Sequence, residues 1–377
     1  MKIKIAGTGL TKFGELWNKD LLDLALEASS EAIHDSRLTI NQIDAVFVAN
    51  MIHGKLSGQD HLGALVASSL GIKGAAFRVE GACASGGLAI HLAIQSLLAG
   101  TYKNVLVVGT EKMTDATSSQ ITSALMGAGS EDERRAGFTF PALYALMAKA
   151  HMAKFGTTRN HLASVSVKNH FHASLNSLAQ FPFEVSMEKV LESPVISSPF
   201  TLFDVSPITD GAGAVVLTSE SMGAGVFISG SAVATDTVGL SQRESLLEIA
   251  ASKDASQKAL KQAGCEIKDI KLAEVHDCFT IAEILAMEDL GFCEKGEGGK
   301  FVEKGHTKLG GKIPVNTSGG LKACGHPVAA TGVKQIIEVT HQLQQRAGKR
   351  QVNGADVGLT HNVGGSGATV VVHILQT

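Results

Sequence analysis

The chain has 377 residues, a formal net charge of −3, 44% hydrophobic residues and 18% charged residues. This length predicts two or more core units, and the apolar content excludes an intrinsically disordered chain. The near-neutral charge provides no basic surface of the kind that binds nucleic acid, so no nucleic-acid partner is expected. The five cysteines are an odd number at wide spacing, which argues against a disulfide framework and favours a cytoplasmic protein.

Alternating strands and helices are predicted along the first half of the chain. Apolar patterns predict strands at residues 2–6, 44–49, 104–109 and 213–218, and helices at residues 21–34 and 84–99. Gly7 and Gly9 are expected to end the first strand. The stretch 81–102 has no formal charge, but its polar residues and glycines indicate a buried helix, so no membrane span is expected.

The second half is predicted to repeat this alternation after a long connection. Residues 111–205, with helix-like stretches at 142–154 and 159–173, form a predicted insertion that covers the active face. After the Gly/Ser-rich stretch 219–225, the predicted elements are strands at 226–235, 272–276, 357–361 and 368–375 and helices at 244–263, 280–290 and 328–343. Gly264 is a residue type that commonly ends a helix.

An internal duplication is predicted to relate the two halves. Residues 44–49 correspond to 272–276, the turn and helix 81–100 to 320–343, and residues 104–109 to 357–361. The pattern predicts an α/β protein with duplicated halves in a five-layer α/β/α/β/α sandwich. The predicted domains are residues 1–110 with 206–224, the inserted loop domain 111–205, and residues 225–377. The helices near 84 and 328 would share the central layer, with their N-termini close together.

Two motifs mark these paired helix entrances. Cys83 lies in EGACASGG (residues 80–87), where the helix dipole and free N–H groups favour a thiolate. His326 lies in LKACGHP (residues 321–327) and has the side chain best suited to proton transfer near neutral pH. Taken alone, each residue also fits a structural role, as a buried inert cysteine or as a histidine that only hydrogen-bonds.

Two further motifs directly follow predicted strands. The segment EVHDCF (residues 274–279) places His276 and Cys278 at the carboxyl end of a sheet, where sites form in α/β folds. The segment HNVGGSGA (residues 361–368) includes Gly364, and its exposed N–H groups would suit a thioester oxygen better than a phosphate. Core packing and a plain turn are the respective alternatives. Two ligands without a partner pair do not predict a metal site.

Together, in this order, the four motifs resemble those of the thiolase family over essentially the whole chain. Cys83 in its Cys-Ala-Ser turn resembles the family's nucleophile, and the Gly-His-Pro sequence around His326 resembles a second family motif. The sequence from His276 to Phe279 resembles the sterol-carrier-protein-2-type branch, where other thiolases have Asn-Glu-Ala-Phe. The glycine loop has Asn362 where common biosynthetic thiolases have a cysteine. The resemblance implies the thiolase fold.

The resemblance also implies a ping-pong C-acyl transfer, for example of two acetyl-CoA to acetoacetyl-CoA and CoA, or the reverse thiolysis. His326 would help to deprotonate Cys83, and Cys278 would remove a proton from the α-carbon of the second acyl-CoA. Two oxyanion holes are implied, one formed by the backbone N–H groups of Cys83 and Gly364 and the other by His276 and His326. Cys324, two positions before His326, is the alternative to Cys278.

The same resemblance implies acyl-CoA substrates, no cofactor, and a homodimer or dimer of dimers. It also implies a small zinc-ribbon/OB-fold protein as a further partner. The CoA nucleotide is expected to contact the insertion 111–205. Three other functions are weighed: a ketoacyl synthase acting on an acyl carrier protein, a C-acyltransferase with a non-CoA acceptor, and a non-catalytic acyl-CoA-binding subunit.

Overall fold

The computed structural model describes residues 2–220 and 223–377, so residues 221 and 222 of the predicted boundary stretch 219–225 lie outside the described residues. The strands are β1 (Ile3–Leu10), β2 (Ala45–Ala49), β3 (Ala75–Val79), β4 (Asn104–Glu111), β5 (Val195–Ser197), β6 (Phe200–Thr201), β7 (Gly211–Thr218), β8 (Phe227–Thr235), β9 (Leu272–Glu274), β10 (Val357–Gly364) and β11 (Thr369–Gln376). The helices are α1 (Leu21–Ser36), α2 (His53–Ser57), α3 (Leu62–Leu70), α4 (Ser85–Leu98), α5 (Ser118–Leu125), α6 (Glu131–Arg135), α7 (Phe140–Phe155), α8 (Arg159–Ser174), α9 (Met187–Leu191), α10 (Ala250–Ala263), α11 (Thr280–Asp289), α12 (Gly298–Glu303), α13 (Gly320–Cys324) and α14 (Thr331–Leu343).

The main sheet has the strand order β3-β2-β4-β7-β1-β8-β11-β10-β9. The strands on either side of the β1–β8 pair have the same arrangement. On one side β7 is antiparallel to its neighbours and β2–β4 is a parallel pair, and on the other side β11 is antiparallel to its neighbours and β9–β10 is a parallel pair. The predicted duplication is therefore confirmed. The two predicted sheets are half-sheets joined edge to edge, since β1 and β8 pair at Ile3–Ile228 and Lys4–Phe227.

Three layers of helices enclose the half-sheets. Helix α1 packs on β1, β4 and β7, and α10 packs on β8 and β11. Between the half-sheets, α4 and α14 contact each other, and each contacts strands of both halves. The predicted five-layer α/β/α/β/α sandwich is confirmed. Within residues 2–220 and 223–377, no helix has the length and apolarity needed to cross a bilayer.

The N-terminal ends of α4 and α14 approach each other closely. A Cβ atom on Gly86 would lie 2.6 Å from the carbonyl oxygen of Ala329, and one on Gly332 would lie 2.2 Å from the nitrogen of Gly87. Glycine at these positions lets the two helix entrances meet. The chain segments that lead into both helices therefore lie together, as the duplication predicted.

The predicted end of the first strand is wrong. Strand β1 continues through Gly7 and Gly9 to Leu10. Helix α1 packs so tightly on it that a Cβ atom on Gly7 would lie 2.2 Å from the carbonyl oxygen of Ala32. These glycines therefore admit a helix against the strand, and the pairing of β1 with β7 shifts its register between Ile5 and Gly7 but continues to Leu10.

Other element boundaries differ by a few residues. Helix α10 begins at Ala250 and not at residue 244, because residues 244–249 are not helical and the Ile249 nitrogen donates to the Asp289 carboxylate. Helix α14 begins at Thr331, and β9 ends at Glu274 where the chain leaves the sheet. Gly264 ends α10 with a φ of 69°, as predicted. Strand β3 and helix α3 were not predicted.

The segment between β4 and β7 carries helices α5 to α9 and the β5–β6 hairpin. Its long helix α8 packs against α11, α12 and α13, which belong to the second half of the chain. The insertion therefore reaches across to the segment that precedes α14. The domain boundaries at residues 110/111, 205/206 and 224/225 stay a prediction.

Candidate active site

Cys83 lies in a tight turn between β3 and α4. Ala82 has a φ of 52°, a left-handed conformation that costs a non-glycine residue about 1–2 kcal/mol. The Ser85 hydroxyl stabilises this turn, since it accepts a hydrogen bond from the Gly81 nitrogen at 2.9 Å and donates one to the Ala82 carbonyl. The turn leaves Cys83 partly exposed as a residue, while its sulfur is surrounded by protein.

Two histidines converge on this sulfur. Cys83 Sγ and one ring nitrogen each of His276 and His326 all lie within 4.8 Å of one another. The two rings meet edge to face, with centroids 5.1 Å apart and planes at 84°. Three residues that are far apart in sequence therefore share one pocket. Their spacing would also fit three ligands of a metal ion, which the sequence analysis did not foresee.

Hydrogen bonds determine which nitrogen of His326 carries the proton. The Thr331 hydroxyl donates to the Pro327 carbonyl at 3.2 Å, so it accepts from His326 Nδ1–H at 2.7 Å. His326 Nε2 then has a free lone pair. Burial, with a further contribution from Lys334, lowers the pKa of His326 to about 3. The ring is therefore a neutral proton acceptor at physiological pH.

His276 has the opposite tautomer, because Asn362 fixes it. The Gly87 nitrogen donates to Asn362 Oδ1 at 3.1 Å, so Asn362 Nδ2 is a donor to the Cys83 carbonyl at 3.0 Å and to His276 Nδ1 at 3.3 Å. His276 Nε2 must then carry the hydrogen, and it has no partner among the described residues. Burial holds the pKa of His276 well below its usual value. The ring offers an unused N–H donor.

The protonation state of Cys83 differs from the one that its helix position suggested. Burial raises the pKa of the Cys83 thiol to about 12, although the backbone N–H of Gly365 opposes this and the nearby Glu111 adds to it. Desolvation of the thiolate therefore outweighs the helix dipole, which contributes only about 0.3–1 kcal/mol. The resting pair is a thiol beside a neutral imidazole.

Gly364 lies at the end of β10, directly against the nucleophile turn. A Cβ atom on Gly364 would lie 2.4 Å from the Gly81 carbonyl oxygen, so only glycine fits there. The next residue, Gly365, has a φ of 62°, and its backbone N–H lies close enough to Cys83 to lower the pKa of the thiol. The structure therefore directs the Gly365 amide at the sulfur, whereas the donor role predicted for Gly364 stays a prediction.

Cys278 lies near this group, at the entrance to α11. It is buried, and its carbonyl accepts a hydrogen bond from the Ser206 nitrogen at 2.9 Å. Burial first, and then the charge of a Cys83 thiolate, raises the pKa of Cys278, while a hydrogen bond with the Tyr144 side chain lowers it. The two thiols are thus close enough for one sulfur to influence the ionisation of the other.

Cys324 has a different environment. It packs with Phe13 and Ala173 in a separate apolar cluster, and its sulfur accepts a 3.7 Å hydrogen bond from Asn176. Burial raises the pKa of Cys324 to about 11, and the charged groups that modify it are Lys334, Glu274, Arg350 and Glu338. The nucleophile is absent from this set, which favours Cys278 over Cys324 as the second sulfur of the site.

Asp277 anchors the backbone between the second histidine and the second cysteine. Its carboxylate accepts hydrogen bonds from the Leu321 nitrogen at 2.7 Å, the Lys322 nitrogen at 3.2 Å and Asn169 Nδ2 at 2.7 Å. Burial, with the nearby Glu283, raises the pKa of Asp277 to about 7. The carboxylate therefore ties the segment after β9 to α8 and α13.

Four residues in this pocket were not singled out for a role in the sequence analysis. Asn362 and Gly365 lie within the glycine-rich motif, Thr331 is the first residue of α14, and Tyr144 lies in the insertion. Tyr144 is one of only two tyrosines in the chain, which was the sole sequence signal for it. The roles of the other three depend on hydrogen bonds that cross between elements.

Comparisons with known proteins agree with this arrangement. Residues 3–221 match the family described as "Thiolase, N-terminal domain", and residues 232–377 match "Thiolase C-terminal domain-like". The chain is 46% identical to an acetyl-CoA acetyltransferase of Methanothermobacter thermautotrophicus over 99% of both chains. It is 33% identical to sterol carrier protein 2 of Bos taurus, over 98% of this chain and 71% of that protein.

A solved structure described as the "Ltp2-ChsH2(DUF35) aldolase" superposes with a TM-score of 0.86 over 100% of this chain and 98% of the other, at 23% sequence identity. This likeness shows the fold. The duplicated sandwich, the two family matches and the relatives that cover almost the whole chain lead to one assignment. The chain belongs to the thiolase family, in its sterol-carrier-protein-2-type branch.

Proposed function

We propose that this protein is an acyl-CoA C-acyltransferase that forms an acyl-enzyme on Cys83. The observation that carries the proposal is the convergence of Cys83 Sγ with ring nitrogens of His276 and His326 within 4.8 Å, with Cys278 beside them. The relative named acetyl-CoA acetyltransferase supports a thioester substrate. The reaction would join two acyl-CoA molecules, for example two acetyl-CoA to acetoacetyl-CoA and CoA, or run in reverse as thiolysis.

In the first half-reaction, the Cys83 proton passes to His326 Nε2 while the sulfur attacks the thioester carbon. Negative charge develops on the thioester oxygen, where backbone N–H groups of the nucleophile turn and the 364–365 loop would stabilise it. The bond between that carbon and the CoA sulfur then breaks. CoA leaves as a thiolate and takes up the proton of Cys278, while His326 keeps the proton from Cys83.

In the second half-reaction, the Cys278 thiolate removes a proton from the α-carbon of the second acyl-CoA. The electron pair left on carbon attacks the acyl group on Cys83, so a carbon–carbon bond forms and the carbon–sulfur bond breaks. His326 returns its proton to the Cys83 thiolate. The unpartnered N–H of His276 and the protonated His326 would donate to the enolate oxygen.

We propose that the CoA nucleotide occupies a cavity of about 480 Å³ in the insertion. Its lining combines hydroxyl groups, one cation and one aromatic ring, which suits phosphates and a base. The residues concerned are Ser118, Ser119, Thr122, Ser123, Arg134 and Phe138. This cavity supports the predicted contact between CoA and residues 111–205.

A second copy of this chain is the proposed partner at the open edge of the sheet. Strand β3 is one of the two edge strands and, among the described residues, pairs only with β2; its Phe77 is 42% exposed. An unpaired edge with an exposed aromatic ring favours association. The zinc-ribbon/OB-fold partner is also proposed, and the name Ltp2-ChsH2(DUF35), which joins two protein names, supports a partner protein in general. Five unpaired cysteines support a cytoplasmic location.

Incubation with acetyl-CoA, followed by intact-mass measurement and peptide mapping, tests the proposed function. We expect one acetyl group per chain on Cys83, no acylation of Cys83→Ala, and acylation without condensation for Cys278→Ala. Cys265→Ala is the matched control, because this partly buried cysteine lies elsewhere, in a cavity beside α10. Acetylation at another residue, or none on the native protein, would refute the proposal.

The same assay separates the alternative functions. A ketoacyl synthase and an acyltransferase with a non-CoA acceptor would both form the acyl-enzyme, but they would not release acetoacetyl-CoA from acetyl-CoA alone. A non-catalytic acyl-CoA-binding subunit would form no acyl-enzyme at all. The presence of both thiols and both histidines in one pocket favours the thiolase reaction over each of them.

A further inference from the structure

Tyr144 brings the inserted segment into contact with the reactive centre. It lies on α7 and is 1% exposed, and its ring stacks on Phe279 with centroids 4.6 Å apart. Phe279 directly follows Cys278 in sequence. The Tyr144 hydroxyl donates a 3.0 Å hydrogen bond to the carbonyl oxygen of Gly365. A buried tyrosine hydroxyl of this kind is held by its partners and has no access to bulk water.

The hydroxyl lies between the surroundings of the two sulfur atoms. On one side it lies near the Cys278 side chain, since its ring stacks on the adjacent Phe279 and its hydroxyl lowers the pKa of Cys278. On the other side it donates to the carbonyl of Gly365, whose own N–H lowers the pKa of Cys83. Tyr144 is therefore connected to the nucleophile through one residue and to the second thiol directly.

A tyrosine hydroxyl has one hydrogen and two lone pairs, so its bonds depend on the state of Cys278. With a neutral thiol, the Cys278 S–H donates to the hydroxyl oxygen while the hydroxyl donates to Gly365. Once Cys278 is a thiolate it can only accept, and the hydroxyl hydrogen must turn toward the sulfur. Hydrogen bonds to an ionised partner are roughly twice as strong as neutral ones, so the exchange favours the thiolate.

We propose that Tyr144 is a positioning residue for the second half-reaction, in which its hydroxyl orients Cys278 and donates a hydrogen bond to the Cys278 thiolate. This inference rests on the proposed function. The proton that moves goes from the α-carbon of the substrate to the Cys278 sulfur, and the C–H electron pair stays on carbon as the enolate. The tyrosine keeps its own hydrogen throughout.

The neighbourhood offers few other groups for this task. The charged or titratable groups that act on Tyr144 and Cys278 are Cys83, Asp277 and Arg243. Cys83 is acylated at this stage, and Asp277 binds backbone amides of α13. Arg243 donates to the carbonyl of Ser366 at 2.7 Å. Besides the backbone N–H of Phe279, the tyrosine hydroxyl is the donor that lowers the pKa of Cys278, and it is the one that a side-chain substitution can remove.

Tyr144→Phe tests the inference, because it removes one oxygen atom and keeps the ring against Phe279. Tyr102→Phe is the matched control, since the other tyrosine of the chain packs against the central core and lies outside this pocket. Acylation is measured by intact mass after mixing with acetyl-CoA. Condensation is measured in a single turnover, by mixing acylated enzyme, freed of CoA, with fresh acetyl-CoA and quantifying acetoacetyl-CoA.

We expect Tyr144→Phe to form the acyl-enzyme at the native rate and to condense about 10- to 100-fold more slowly, the range for losing one hydrogen bond to a charged group. The pH profile of condensation should also shift upward, because Cys278 ionises less readily without the donor. Tyr102→Phe should match the native protein in both steps.

The inference is overturned if both half-reactions of Tyr144→Phe fall together, which would indicate a structural role in holding the 364–367 loop against Cys83. It is also overturned if condensation is unchanged while the native protein acylates and condenses normally. If the native protein forms no acyl-enzyme, the proposed function itself fails and the inference falls with it, so the two failures are distinguishable.

Discussion

Replacing Thr331 by valine would isolate the contribution of the His326 tautomer. The two side chains have nearly the same shape, but valine cannot accept the 2.7 Å hydrogen bond from His326 Nδ1–H. Both groups are buried, with 1% of Thr331 and 6% of His326 exposed. Without the acceptor, the tautomer that keeps a lone pair on Nε2 loses its advantage.

The size of the effect follows from the cost of a buried donor without a partner, which is about 1–3 kcal/mol. A difference of this size in the barrier corresponds to a loss of about 5- to 100-fold in rate. The rate affected is that of acyl-enzyme formation, because His326 accepts the Cys83 proton in that step. Thr331→Ser keeps the hydroxyl and should recover most of the native rate.

Thr340→Val is the matched control in the same helix. Thr340 is also buried and donates to the carbonyl four residues earlier, that of Ile336, at 2.7 Å, just as Thr331 donates to Pro327. Both variants lose a hydroxyl-to-carbonyl bond, and only one of them changes His326. Quenched-flow intact-mass measurements give the acylation rates. Equal losses in both valine variants, or a native rate for Thr331→Val, would refute the tautomer argument.

Three further outcomes are expected. Arg134→Gln should raise the KM for acetyl-CoA by about 10-fold, because one hydrogen bond to a charged group is lost, and it should not affect acylation by a short thioester without the nucleotide. The control is Arg135→Gln, which should change neither, because the adjacent Arg135 pairs with Glu131. Equal effects of the two variants would contradict the assignment of this cavity to the nucleotide. Zinc should inhibit acylation reversibly, since its preferred nitrogen and sulfur ligands converge at Cys83; activity restored by a chelator supports this, and full activity in excess zinc contradicts it. Burial lowers the pKa of histidines such as His361 to about 3, so the unfolded chain binds more protons than the folded chain below about pH 6.5. Such histidines outnumber the carboxyls whose pKa is raised, so the free energy of unfolding should fall on acidification from pH 7 to pH 5. Urea titration measures this change, and a rise would contradict the assignment.

Much of the fold could be predicted because its signals are local. The apolar runs that form β2, β4 and β7, and the helical spacing of α1 and α4, depend only on neighbouring residues. Gly7 shows the limit of this reasoning. A glycine within an apolar run predicts an interruption, but here it serves the close approach of Ala32 in α1, which lies 25 residues away in sequence.

The reactive groups were predictable for a similar reason, since Cys83 and His326 lie in turns with recognisable composition. The residues that hydrogen-bond around these reactive groups were not predictable. The hydrogen bond from Tyr144 to Gly365 spans 221 positions, and that from Gly87 to Asn362 spans 275. Neither residue has a local pattern that points to its partner. Only the packing of the insertion and of the two halves brings such groups together.

The amino-acid order by itself determined which chemical groups the site contains and which turns and helices present them. Tertiary structure alone decided their protonation states and partners. The helix position of Cys83 favours a thiolate, yet burial raises the pKa of the thiol to about 12 and lowers that of His326 to about 3. The dipole of one helix acts within a single turn, whereas desolvation sums over every element packed around the site.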